Sequence, residues 1–143
     1  MQSAVNSTEQ VAEQIAEQEW PPADAGSVAL KVAINILDKW QCKAAQKQAI
    51  LAVGRSTLYK IQDDPHSARL SVDQLERVSY ILNIHQALRI IFSNPENVYG
   101  FMQMANHNPW FNGKSPLALI SSGRFSTLYE VFKRIDAMRS GQW

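Results

Sequence analysis

Apolar side chains recur at helical spacing from residue 27 almost to the end of the chain. Leu30, Ala33, Ile34 and Leu37 fall at i, i+3, i+4 and i+7, with Trp40 one step further. That spacing predicts a helix from Ser27. A second helix is expected over about residues 43–51, a turn at Ala52-Val53-Gly54, and a third, short helix over 55–62 that breaks at Asp63-Asp64-Pro65. Ser71 with Gln74 three residues on reads as a capping box. Val72, Leu75, Val78 and Leu82 would form the apolar face of the helix it opens. Asn83 marks a bend before Ile84, Leu88, Ile91 and Phe92 continue the stripe.

Asn94-Pro95 and Ser115-Pro116 each pair a capping side chain with proline in the first helical turn. They predict a helix carrying Val98, Phe101, Met102 and Ala105 inward, and a short one ending at Ile120. Between them lies an Asn-rich loop, 106–114. Gly123 breaks the chain again. The last helix, about 124–139, buries Phe125, Leu128, Val131 or Phe132, Ile135 and Met138, and Gly141 ends it. No stretch alternates apolar and polar over five residues, so the fold is read as all-α.

The first 26 residues differ. Val11 and Ile15 give residues 8–19 only a thin stripe, and so short a helix is marginal alone. Trp20-Pro21-Pro22 ends it and 23–26 reads as linker. The reading is therefore a poorly ordered arm at 1–26, a helix-turn-helix region at 27–70, and a small helical domain at 71–143. Charge follows this division. The 143-residue chain carries 14 basic and 13 acidic side chains, net +1, which excludes a histone-like protein. Yet Glu9, Glu13, Glu17, Glu19 and Asp24 stand in a segment without Lys or Arg, ahead of a basic one containing Lys31, Lys39, Lys43, Lys47, Arg55, Lys60 and Arg69. Such asymmetry points to nucleic acid.

Enzyme signatures are missing. His66, His85 and His107 have no metal-ligand spacing, and no phosphate loop or nucleophile elbow appears. Neither a catalytic residue, a metal nor a cofactor is expected. Cys42, the lone cysteine, reads as a small apolar residue in a reducing compartment. With neither a signal-peptide pattern nor a membrane-spanning apolar run, a cytoplasmic protein with no membrane partner is expected.

Two segments carry candidate chemistry. In 43–62, Ala45 is small where two helices of a helix-turn-helix would cross, Ile50, Val53 and Leu58 face inward, and Arg55, Ser56, Thr57 and Lys60 start the recognition helix. Basic side chains neutralise phosphates and hydroxyls donate to them; Lys39, Lys43 and Lys47 widen the footprint. In 106–143, Trp110 and Phe111 stand in a polar loop. Either they fold back on the core or one anchors a partner. Trp143, at the chain end, is a further candidate anchor.

Taken together, these segments resemble the Xre/MbcA/ParS family of antitoxins over residues 27–143. The most specific element is Asn108-Pro109-Trp110-Phe111-Asn112-Gly113-Lys114-Ser115-Pro116-Leu117, followed by Ile120 and Gly123. Val53 to Lys60 is similar to the family's Val-Ser-Arg-x-Thr-Leu-Tyr-Arg. Where the family has Gly and then Val-Ser at the turn, this chain has Ala52-Val53-Gly54. The resemblance implies a helix-turn-helix region followed by a toxin-binding domain. It implies a RES-type, NAD-depleting toxin as partner, occluded at its active site, a homodimer, and binding to the promoter of the chain's own operon. Lys114, Arg124, Tyr129, Lys133 and Arg134 then join Trp110, Phe111 and Trp143 as candidate toxin contacts. The alternative is a stand-alone helix-turn-helix transcriptional regulator with a helical oligomerisation domain.

Overall fold

A computed structural model describes residues 25–141. Among these the chain runs α1 (Ala25–Lys39), α2 (Ala44–Leu51), α3 (Arg55–Asp63), a 3₁₀ turn (Pro65–Ser67), α4 (Val72–Ile91), α5 (Pro95–Gly100), a second 3₁₀ turn (Phe101–Gln103), α6 (Pro116–Ile120) and α7 (Phe125–Met138), with no strand among the described residues. The predicted caps are made. Ser71 Oγ accepts from Gln74 N, Asn94 Oδ1 from Asn97 N and Ser115 Oγ from Ala118 N. Each satisfies an amide that the first helical turn leaves without an internal partner. None of the described helices is long and apolar enough to cross a membrane.

α4 is the spine. α1 packs on one flank of it and α7 on another, and a single apolar core runs from Leu30 and Trp40 through Ile81 and Leu88 to Val131 and Ile135. Several details depart from the sequence pattern, among them Ala105, which lies exposed beyond the end of α5 at Gly100. Ala25 and Gly26, the first described residues, already belong to the helix and not to a linker. α4 runs unbroken through Asn83, which is exposed and leaves the backbone to its helical partners. Its buried face is Arg77, Val78, Ile81, Ile84, Ala87 and Leu88, while Val72 and Leu75 stay exposed. Two overlapping apolar stripes existed on this helix. The one that faces α1 and α7 is the buried one.

The turn between α2 and α3 shows what the exchanged glycine does. Ala52, at the C-cap of α2, takes the left-handed conformation (φ 55°, ψ 49°), whereas Gly54 caps α3 at an ordinary φ of −75°. A Cβ in the left-handed region costs about 1–2 kcal/mol, and glycine avoids it. Ala52→Gly is therefore expected to raise stability by about 1 kcal/mol, read as a higher midpoint in urea. An unchanged midpoint would mean that Ala52 is not strained.

Candidate functional site

The α2–turn–α3 unit presents one face. Leu58 and Ile61 hold α3 to the core, which turns Arg55, Ser56, Thr57 and Lys60 outward into solvent. Lys43, just ahead of α2, is exposed as well. Lys47 has another task. It forms an ion pair with Asp38 of α1 and donates to Gln62 Oε1 at 3.0 Å, with only 13% of its side chain exposed. It ties three helices together and is not free to meet a phosphate. Tyr59, absent from the candidate set, is exposed, with the Arg55 guanidinium 5.8 Å from its ring centre. Its spacing of four from Arg55 was the available signal. Ala45 is exposed and is not the small residue at the crossing. Ala49 is the small residue of α2 that lies against the chain before α7, since a Cβ on Gly123 would sit 3.1 Å from its carbonyl oxygen.

The second face centres on the 106–114 loop and α7. The loop closes on itself, Gly113 N donating to Asn106 O at 2.9 Å and Asn106 N to Lys114 O at 3.1 Å. Asn112 and Gly113 both take positive φ, which lets the chain reverse. Closure divides the two aromatic residues. Phe111 is buried in the core at 1% exposure, so it is the ring that folds back and has no surface to offer a partner. Trp110 lies half-buried on its edge, ring centres 5.0 Å apart, and the Arg134 guanidinium caps the indole at 5.2 Å. On the outer side of α7 the Lys133 ammonium stands 5.5 Å from the ring centre of Tyr129. Arg124, at the N-cap of α7, and Lys114 are exposed. Trp143 lies outside the described residues.

Along the inner flank of α7, Tyr80 of α4 makes edge or tilted contacts with Phe125, Tyr129 and Phe132 at 5.3–5.6 Å. Phe125 and Phe132 are thus half-exposed rather than core, and Val131 takes the buried position. A shallow groove lined by Glu76, Ser79, Tyr80, Asn83, Phe125 and Tyr129 follows that seam. Tyr80 carried no separate sequence signal, because its partners are contributed by a helix far along the chain.

Titratable groups play structural parts. Burial pushes the Cys42 thiol up to about 12, leaving it unreactive near neutrality. Asp64 accepts from His66 N at 3.1 Å as a turn cap. No group of His, Cys, Asp and Glu suited to a metal occurs among the described residues. His85 stacks on Tyr99 at 5.4 Å, and its Nδ1 is buried without a partner. Burial, and then the nearby charge of Arg89, lower its pKa below the usual 6.5. The unfolded chain therefore binds this proton more readily. Stability is unaffected above about pH 6.5 and falls as pH drops through the depressed folded value. His85→Phe should flatten that acid limb; an identical limb in the variant would assign the effect to other groups.

A helix-turn-helix unit with an outward basic face, joined to a second helical module bearing a cation–aromatic face, defines a two-module all-helical protein. Comparison with known proteins specifies it. Residues 19–83 match the antitoxin Xre-like helix-turn-helix domain, and 87–141 match the antitoxin Xre/MbcA/ParS C-terminal toxin-binding domain. The first match begins inside the segment expected to be arm and linker. The chain is also 33% identical over 124 residues to the uncharacterized protein y4oB of Sinorhizobium fredii (strain NBRC 101917 / NGR234), covering 85% of this chain and 93% of that protein. The chain belongs to the Xre/MbcA/ParS antitoxin family.

Proposed function

We propose that this antitoxin neutralises a RES-type, NAD-depleting toxin by laying the outer face of α7 and the 106–114 loop over the toxin's active site, and that it represses its own operon through α2 and α3. The carrying observation is the pre-set pairing of Arg134 with Trp110 and of Lys133 with Tyr129, within the segment that matches a toxin-binding domain. Aromatic and arginine side chains dominate binding hot spots, and those already held in place lose little entropy on docking. Cations on a convex helix suit a cleft that receives phosphates. Occlusion of this kind needs no catalytic group. Expression of the neighbouring reading frame alone and then with this chain tests the reading. Arrest with loss of cellular NAD, relieved by this chain, is the expected result; arrest without relief would overturn it.

For the DNA face, Arg55, Ser56, Thr57 and Lys60, together with Lys43, supply phosphate and base contacts. A single helix-turn-helix binds weakly, so a homodimer on a two-fold symmetric site completes the proposal. Loss of one phosphate contact in Lys60→Ala should flatten the slope of log K against log salt by about 0.9. Lys47→Ala should leave that slope unchanged, because its ammonium is engaged by Asp38. Equal slopes for Lys60→Ala and the parent chain would place Lys60 away from the DNA backbone.

A further inference from the structure

We infer that Arg77 is a positioning residue through which the toxin-binding half of the chain sets the orientation of the helix-turn-helix. The inference rests on the DNA-binding function proposed above. Arg77 is the buried charged side chain among the described residues, 7% exposed, and its contacts span two modules. Nε donates to Asp73 Oδ2 at 2.9 Å, one turn back on α4. Nη1 points the other way, 2.8 Å from Gly123 O, 3.3 Å from Ile50 O and 3.5 Å from Ala49 O. The last carbonyls of a helix lack partners within it; at the end of α2 Ala52 N and Val53 N reach Ala49 O and Gln48 O, and this guanidinium adds a donor at Ile50 O. A planar fork sets direction as well as distance.

Three further contacts lock the same corner. Gln74 Nε2 donates to Ala52 O at 2.9 Å within the α2–α3 turn, and Gln46 Nε2 to Ser121 Oγ at 3.3 Å. Gly123, at φ +77°, lets the chain before α7 come against Ala49. A side chain there would meet strain from φ and a close carbonyl together. α2 ends at Leu51 and α3 already begins at Arg55, so the end of α2 sets the entry of the recognition helix. On the other side, Gly123 directly precedes Arg124, a proposed toxin contact, and the Phe125 ring lies 5.9 Å from the Arg77 guanidinium. A partner that grips the start of α7 therefore acts on the group that holds α2. Coupling of this kind is reciprocal between the two sites.

Amide hydrogen exchange on the full chain tests this without any ligand. Arg77→Met, and separately Gly123→Ala in the other module, should speed exchange across residues 45–58 by about tenfold relative to α5 and α7. Met102→Ala, which opens the core elsewhere, serves as a control that lowers stability without touching this corner. In parallel, anisotropy with a labelled duplex taken from immediately upstream of the reading frame, against a scrambled duplex, should show about tenfold weaker binding for Arg77→Met than for Met102→Ala, both still folded by circular dichroism. Uniform acceleration in Arg77→Met, or equal affinities for the two variants, would overturn the inference. Failure of the parent chain to prefer the upstream duplex would instead remove the DNA-binding proposal, and the exchange profile would still decide the role of Arg77.

Discussion

Phe111→Ala is expected to cost about 3–5 kcal/mol, a large part of the stability of a domain of this size. The ring is buried at 1% exposure, and it fixes the loop between two backbone hydrogen bonds, with Trp110 resting on its edge. Its loss opens a cavity and releases the platform that holds Trp110 under Arg134. Urea unfolding followed by circular dichroism measures the first effect. Trp110→Ala, at a half-exposed position, should move the midpoint far less. Similar midpoints for the two variants would contradict the division of labour between these neighbouring rings.

The second large effect falls on binding rather than folding. A chain carrying Trp110→Ala, Lys133→Glu and Arg134→Glu should lose at least about a thousandfold in affinity for the toxin, since removal of a few hot-spot side chains at about 2 kcal/mol each is enough. All three positions lie at or near the surface, so helix content should hold. In cells, co-expression would then leave growth arrested and NAD depleted. Full relief by the triple variant would move the toxin-binding surface elsewhere, with the Tyr80–Phe125–Tyr129 seam the next face to alter.

These two predictions separate residues that sit side by side in the chain. Trp110 and Phe111 have similar chemistry and the same polar neighbours, and composition offers no reason to bury one and expose the other. The choice is made by Asn112-Gly113, whose positive φ values turn the loop back so that position 111 faces the core. Lys47 is a similar case. As one basic residue on a basic segment it reads as part of a DNA footprint, and only the placement of Asp38 and Gln62 shows that its charge is already used. Arg77 was invisible for the converse reason. It lies on a helix rich in polar residues, and its acceptors are carbonyls of segments 27 and 46 residues away, which no local pattern reports.

What the residues determined alone had short-range causes. Ser71, Asn94 and Ser115 dictate where helices start, because a cap is made within three residues. The 3.6-residue recurrence of apolar positions dictates an all-helical chain. Arg55, Ser56, Thr57 and Lys60 are outward because Leu58 and Ile61 of the same short helix must be inward. Tertiary structure decided what depends on partners distant in sequence. It chose between two apolar stripes on α4, made one helix continuous across the junction of two family modules, buried Phe111, and tied the end of α2 to Gly123 through Arg77. The physical reason is common to all four. Burial and long-range hydrogen bonds are properties of the assembled surface, and their sign is set only when the opposing element is in place.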